Sequence, residues 1–535
     1  MKFGGESLLL LCLANPHKPQ YGGGIIRNPE LNQGLRGWST IGRAKIERRE
    51  SGGNHFIVAR SRNQTYGSFS QKLYLQKDKL YTFSAWIQVS GGNAAVAAVF
   101  KTSDGFKHAG AIVAESGCWS MLKGGLTMKS SGPAELFFES KNTKVEIWVD
   151  SISLQPFTQE EWKSHQDQSI EKTRKRKVRI QAIDARGNPV PGATVKAQPQ
   201  KLSFPFGNAM NKYILDNPAH QNWFTSRFTA TAFEDALKWY TNEPSPGKED
   251  YSDADALFQF CAQNQIAVRG HNILWDDPKY LHGWLLSLSP SQIKSDADKR
   301  INSVVQRYIG KVNSWDVVNE NLHTSFFEDK LGPNASAVFF QETRQLDKTA
   351  PLFMNEYNTL ENNIQSFSLD IGSVGIGLQG HFHTPDLAYI RSSLDTLAAA
   401  ELPIWITELD VASSPDQASY LEQVLSEAHS YPAVVGIVMW AAWKPEGCFR
   451  MCLTDGQFKN LATGDVVDKL ISQWTGRFVG MTNADGFLET SLFHGDYEVS
   501  ISHPTLKNSS LIHGFKVAPT DHMSQEKVML ITLSA

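Results

Sequence analysis

NSWDVVNEN (residues 313–321) runs apolar and β-branched and then stops in Asn319-Glu320. A strand apolar on both faces belongs inside a parallel sheet that is covered on each side. A carboxylate at the end of such a strand is costly unless it is paired or performs chemistry. If it performs acid–base chemistry, a second carboxylate is needed at a comparable place in the chain.

Outward from this strand, the chain alternates strand with helix. Apolar strand candidates fall at 204–211, 228–233, 266–275, 312–318, 351–355, 374–381, 403–408 and 434–440, and helical patterns at 290–309, 335–347, 386–400 and 416–429. Eight strands at this spacing predict an α/β fold, a (β/α)8 TIM barrel over 204–475, rather than a doubly wound sheet. No Gly-rich phosphate loop interrupts the pattern, which argues against nucleotide chemistry.

Functional groups of such a barrel sit at the C-terminal strand ends. Those ends carry His271, Asn319-Glu320, Gln379, His381, Glu408 and Trp440. PIWITELDV (403–411) is the second strand to end in a carboxylate. Two carboxylates converging across a barrel mouth are what glycoside hydrolysis requires, one as general acid and one as nucleophile or base. A single Glu at a strand end fits equally well as a complement to a helix N-terminus. A pair, with Asn319, His271, His381 and Trp440 at neighbouring ends, points to chemistry.

The flanks read as β. Over 25–157, alternating stretches such as LYTFSAWIQV (80–89) and AELFFE (134–139) lie between turn residues and predict a β-sandwich. A polar linker is expected at 158–175. VRIQAI (178–183) and GATVKA (192–197) read as one strand pair, and GFLETSLFHGDYEVSI (486–501) as another across a turn at His494-Gly495-Asp496. Neither pair can bury a face alone. Segments 176–203 and 476–535 are therefore expected to combine as one small split β-sandwich flanking the barrel.

Composition narrows the function classes. The chain has 535 residues, 41% hydrophobic, 20% charged, with a formal net charge of -3, so a nucleic-acid partner is not expected. The basic run EKTRKRK (171–177) reads as a solvated connector. SLLLLCLA (7–14) is too short to span a membrane, and no other stretch is long enough to be a transmembrane helix, so no membrane partner is expected. Five Cys do not make a disulfide framework; Cys448 and Cys452 flank a short loop and could pair, but lack nearby His or Cys partners for a metal. No metal or cofactor is expected. Fourteen Trp and fourteen Tyr exceed ordinary core needs and suit a protein that stacks flat ligand faces.

WDVVNE (315–320) followed by ITELDV (406–411) resembles glycoside hydrolase family 10, the endo-β-1,4-xylanases. Further matches follow in order: FPFGNAMN (204–211), LKWY (237–240), VRGHNILWDDP (268–278), GIGLQGHF (375–382) and MWAAW (439–443). GCFRMCLTD (447–455) and GDVVDKL (464–470) are similar to the plant-type branch. The resemblance implies Glu320 as general acid/base and Glu408 as nucleophile. It implies Asn319 as the ligand of the sugar 2-OH and His381, backed by Asp410, as the group orienting the nucleophile. His271, Gln379, Lys238 and Glu234 correspond to sugar-binding positions, and Trp239, Trp275 and Trp440 to cleft walls. Two positions depart from the family: Glu234-Asp235-Ala236 stands where Glu-Asn-Glu is usual, and Trp275-Asp276 where many members have Trp-His.

The N-terminal segment is similar to family 22 carbohydrate-binding modules through NPELNQGLRGW (28–38), SFSQKL (68–73), CWSMLKGG (118–125) and VDSISL (149–154). The likeness implies a binding face including Tyr66, Phe137 and Glu139. Together the resemblances imply a secreted, cell-wall retaining endo-1,4-β-xylanase, a monomer acting on xylan and xylo-oligosaccharides without cofactor. A Cys-containing segment like CLANPHKPQYGGGI, here following the Leu run directly, implies a truncated or misassigned start and an incomplete secretion signal. A xylan transglycosylase using the same two glutamates, or a non-catalytic wall-polysaccharide-binding protein, are the alternatives.

Overall fold

The computed structural model describes residues 12–361, 375–504, 511–519 and 527–532; most of the apolar run at 7–14 lies outside them. Two compact units make up the chain. The first comprises the chain up to Ser164 with Asp235–Tyr251 and Arg269–Ala412, and the second His165–Glu234, Ser252–Val268 and the chain from Ser413.

Within the first unit, ten strands form two five-stranded sheets. One runs in the order Ser39–Ile41, Ser68–Leu75, Gly132–Glu139, Asn93–Thr102, Gly105–Glu115, and the other Lys45–Ser51, Asn54–Arg60, Ile147–Phe157, Leu80–Val89, Ser120–Thr127. The two-residue period of strand side chains sorts their faces. Tyr81, Phe83, Ala85, Ile87 and Val89 point inward against Val96, Ala98, Phe100, Leu136 and Phe138. The opposite face of the second sheet buries Trp86 with Phe56, Val58 and Trp119. Next to that cluster Cys12 and Cys118 form a disulfide that the cysteine count did not anticipate. Cys448 and Cys452 are also bridged, and Cys261 is free and buried. The sandwich packs on the helix Leu387–Ala398: Gly125 lets strand Ser120–Thr127 lie flat on it, since a Cβ there would fall 2.2 Å from the Ala388 carbonyl carbon.

The expected linker at 158–175 is instead an α-helix, Gln159–Thr173. Its start carries a reciprocal cap, with Glu161 N–H donating to Thr158 Oγ1 and Thr158 N–H to the Glu161 carboxylate. Polar contacts hold it in place of an apolar stripe: Gln166 Nε2 donates to Glu427 and Ser169 Oγ to the Ser430 carbonyl.

The barrel strands are β1 (Phe206–Asn208), β2 (Ala230–Ala232), β3 (Ala267–Gly270), β4 (Ser314–Asn319), β5 (Leu352–Glu356), β6 (Gly375–Phe382), β7 (Ile404–Val411) and β8 (Val434–Met439). They follow the order β3-β2-β1-β8-β7-β6-β5-β4, and a β3–β4 pairing closes the ring, so the (β/α)8 expectation agrees with the structure. Every residue of β4, β5 and β7 is buried, the condition of a parallel sheet covered on both faces. A two-residue strand, Leu274–Trp275, extends the β3 side along β4.

The two flanks of the barrel share two further sheets, but not as hairpins. Lys175–Ile183 lies between Phe487–Phe493 and Lys527–Thr532, whereas Thr194–Leu202 lies between Phe478–Met481 and Gly495–Ser502, with Leu511–Val517 beyond. Each pair read from the alternation thus divides between sheets, the chain crossing over at His494. The alternating residues do mark the buried faces. Val178, Ile180 and Ala182 of one sheet meet Val195, Ala197, Val499 and Ile501 of the other, face to face rather than edge to edge. No helix among the described residues is long and apolar enough to cross a membrane.

Candidate active site

Register brings the strand-end groups together. Trp275 pairs with Asn319 and Asn319 with Asn355, while Gln379 pairs with Glu408. Irregularities between Asp316 and Asn319, and between Leu378 and Gln379, re-aim the final residues of β4 and β6.

Glu408 is buried on β7 between two imidazoles. His271 Nε2 lies 3.8 Å from its Oε1 and His381 Nε2 3.7 Å from its Oε2. Each imidazole is anchored from behind: His271 Nδ1 is 3.0 Å from Asp316 Oδ2, and His381 Nδ1 is 3.0 Å from Asp410 Oδ2. Asp316 is also paired with the buried guanidinium of Arg269. Burial alone would push the Glu408 carboxyl up. The charge of His271, the hydrogen bond and charge of His381 and the charge of Lys238 outweigh it and hold the group at about 2. Burial would likewise depress His381, yet its bonds to Asp410 and Glu408 raise it to about 10.

Glu320 follows β4 with φ +60°, a left-handed backbone conformation uncommon outside glycine and concentrated at functional sites. Its hydrogen-bond donors are neutral. Trp275 Nε1 donates to Oε2 at 3.0 Å and Gln379 Nε2 to Oε1 at 2.8 Å. Burial raises its carboxyl; the Gln379 bond opposes this, and the negative charge of Glu408 adds to the rise. The two glutamates are therefore pushed in opposite directions.

Asn355, on β5, links the two strand-end groups. Its Nδ2 donates to Glu408 Oε1 at 2.8 Å and to Asn319 Oδ1 at 2.9 Å, and its Oδ1 accepts from Thr407. Asn319 Nδ2, buried, has no hydrogen-bond partner among the described residues. Sequence reasoning passed over Asn355-Glu356, although LFMNE ends β5 as DVVNE ends β4, and that repeat was the available signal. Burial raises the Glu356 carboxyl, which accepts from Leu322 N–H and pairs with His323 Nδ1 at 2.9 Å. His323 stacks on Tyr357, ring centroids 3.7 Å apart.

Of the expected walls, Trp275 stacks on Tyr280 with centroids 3.8 Å apart, and Lys238 Nζ lies 4.5 Å from the Trp275 ring centroid. Trp239 donates to Glu243. Asp235 accepts a hydrogen bond from Tyr240 Oη at 2.8 Å. Asp276 receives the Phe327 N–H, and burial pushes its carboxyl up to about 7. In the other unit, Glu234 accepts from Asn211 Nδ2 and pairs with Lys444 Nζ at 2.9 Å, and Trp440 is buried just past β8.

On the outer face of the N-terminal sandwich, Tyr66 is exposed and Glu139 lies 3.7 Å from His108 Nδ1. The expectation of an exposed Phe137 needs correction. That ring is only 3% exposed and meets the edge of Phe106, which is 65% exposed and offers the aromatic surface of the row. The described residues bring one His/Cys/Asp/Glu group within metal-ligand spacing, Cys12, Glu115 and Cys118, whose two sulfurs are bonded to each other.

Comparison with known proteins adds the following. The family model described as Glycosyl hydrolase family 10 matches residues 195–447. Endo-1,4-beta-xylanase 5 of Arabidopsis thaliana is 41% identical over 493 residues, covering 87% of this chain and 86% of that protein. Endo-1,4-beta-xylanase 5-like of Arabidopsis thaliana is 40% identical over 494 residues, covering 87% and 86%. Among solved structures, xylanase 10B from Thermotoga petrophila RKU-1 in complex with xylobiose is 23% identical, covers 51% of this chain and 94% of that one, and superposes with a TM-score of 0.45.

Proposed function

The chain belongs to glycosyl hydrolase family 10, and on that premise we propose that it cleaves internal β-1,4-xylosidic bonds of xylan and xylo-oligosaccharides with net retention of anomeric configuration. The observation that carries this reading is the opposite displacement of two strand-end carboxyls, Glu320 upward and Glu408 down to about 2. In the first step Glu408 Oε attacks the anomeric carbon as Glu320 gives its proton to the departing glycosidic oxygen. In the second, Glu320, now ionised, takes a proton from water, and the hydroxide oxygen displaces Glu408. His271 and His381 keep Glu408 ionised and aimed. The unpartnered Nδ2 of Asn319 is the donor for the 2-OH of the sugar held against Glu408. Gln379 serves first to hold Glu320, and Trp275 stacked on Tyr280 forms a flat wall for a pyranose ring. Lys238, Glu234 and Trp440 complete the sugar-binding set.

The β-sandwich within 25–157 acts as the xylan-binding module, presenting Tyr66 and Glu139 with Phe137 behind Phe106. Segments 176–203 and 476–535 form the small sandwich beside the barrel of 204–475. We place the protein outside the cell, at the wall, as a monomer. Release of reducing ends from xylan, with the first-formed anomer followed by NMR, tests the proposal. Glu408→Ala is expected to abolish turnover on all substrates. Glu320→Ala is expected to spare glycosylation from aryl xylosides with good leaving groups, which need little protonation. An inverted first product, or equal loss on both substrate types, refutes the assignment.

A further inference from the structure

A cavity of about 550 Å3 opens at the N-terminal ends of β1, β2 and β8, the strand ends that carry none of the groups described above. Its volume lies within the roughly 300–1,000 Å3 of sites that enclose small ligands. Its wall holds Arg174, Lys201, Arg227, His429 and His494, and none of its lining residues is acidic. Arg227 is neutralised by a two-point pair with Asp468, at 2.7 and 2.8 Å.

Arg174 is not neutralised. Its Nε donates to the His429 carbonyl at 2.9 Å and its Nη2 to the Tyr431 and Val434 carbonyls at 2.7 and 2.6 Å. No carboxylate among the described residues meets it, and Nη1 is engaged by none of these bonds. Burial draws the guanidinium down to about 10, the mark of a charge without a counter-ion.

Phe204, Phe206, Phe228, Trp474 and Phe493 give part of the wall an aromatic lining. The Arg174 guanidinium lies 4.6 Å over Phe204, and His429 stacks on Trp474 with centroids 4.0 Å apart and planes at 16°. His429 is 2% exposed, and its Nδ1 has no hydrogen-bond partner among the described residues. Burial and the nearby charge of Arg174 hold this imidazole neutral.

We propose that this cavity binds a small planar aromatic carboxylate. The carboxylate would take Nη1 of Arg174, with the ring along the Phe204 and Trp474 walls. A neutral sugar would leave the cation uncompensated. A phosphate dianion would leave the aromatic part of the wall uncovered.

Isothermal titration of the full chain with benzoate tests the proposal, with benzamide as the uncharged isostere. Saturable benzoate binding is expected, and benzamide binding weaker by about tenfold or more, the worth of one charge-assisted bond. Val435 lines the cavity with 38% of its surface exposed, so Val435→Trp fills the space without disturbing the packed interior. That variant is expected to lose benzoate binding while retaining its melting temperature and its activity on xylan. Arg174→Gln is expected to erase the preference for benzoate over benzamide; if it fails to fold, Val435→Trp and the isostere comparison still decide. Absence of saturable benzoate binding, equal affinity for the two probes, or unchanged affinity in Val435→Trp overturns the assignment.

Discussion

Asn355→Ala tests how Glu408 is kept ionised. The amide donates to Glu408 Oε1 at 2.8 Å within a fully buried site. A hydrogen bond to a charged group contributes about 1.5–3 kcal/mol, and one pKa unit corresponds to about 1.4 kcal/mol. The bond favours the ionised form, so its loss raises the Glu408 pKa by about 1–2 units. Starting from about 2, the acid limb of the kcat/KM profile is expected to move to between about 3 and 4. The same substitution removes the donor that fixes Asn319 Oδ1 at 2.9 Å. The sugar-facing amide then loses its preferred orientation, and kcat/KM on the plateau is expected to fall about tenfold to a hundredfold, equivalent to about 1.4–2.7 kcal/mol. Initial rates on an aryl β-xylobioside across the acid range, with tryptophan fluorescence recorded in parallel to exclude unfolding, give both numbers. A uniform loss of rate with the acid limb unmoved would refute the electrostatic role and leave Asn355 as packing.

Trp275→Phe removes a donor that lowers the Glu320 pKa, so the alkaline limb of kcat/KM is expected to move to higher pH. A limb that moves down, or not at all, contradicts the assigned contact. Arg62 is buried in the N-terminal sandwich and spends its guanidinium on the carbonyls of Gly67, Asn142, Val145, Thr65 and Ser140. Arg62→Met leaves those acceptors unsatisfied and is expected to cost about 3–5 kcal/mol, read as an early transition in thermal unfolding. Asp276 is held up at about 7 from 3.8, so its contribution to stability is full below its unfolded value and is lost as pH rises through about 7. Asp276→Asn is expected to flatten the fall in Tm between weakly acidic and weakly alkaline buffer; an unchanged slope would contradict it. Gly125→Val drives a side chain into the Ala388 backbone and is expected to make the sandwich separable from the helix Leu387–Ala398 by limited proteolysis.

The barrel was legible because apolar runs buried on both faces leave few alternatives: every residue of Ser314–Asn319 and Ile404–Val411 is inside. Alternation in the flanks told which face of Lys175–Ile183 and Thr194–Leu202 is buried. It could not tell which strand lies alongside, because period-two patterning is the same for a hairpin as for two facing sheets. The helix Gln159–Thr173 was hidden by its polarity, since side-chain hydrogen bonds such as Gln166 to Glu427 have no hydrophobic signature. Cys12 and Cys118 are 106 residues apart, a spacing that carries no pairing information. At the site, strand ends exposed Glu320, Glu408, His271, Gln379 and His381, while Asn355 escaped because its strand was read for apolarity and not for its last two residues.

What no strand-end reading contains is the division of labour between the two glutamates, because it resides in what surrounds them. Around Glu408 basic and acidic groups alternate: Arg269, Asp316, His271, Glu408, His381, Asp410. Each imidazole facing Glu408 has a carboxylate behind it, so a proton on His381 is stabilised from both sides and remains to about pH 10. Removing Asp410 would therefore act on Glu408 at one remove, through the charge it keeps on His381. Around Glu320 the donors are an indole and an amide, which stabilise the anion by hydrogen bonding but bring no net charge to offset burial. The same side chain, at the ends of two strands of one sheet, is thus pushed down beside imidazoles that have carboxylates behind them and pushed up where its donors are neutral. The negative charge of Glu408 then raises Glu320 further, so ionising the first helps keep the proton on the second.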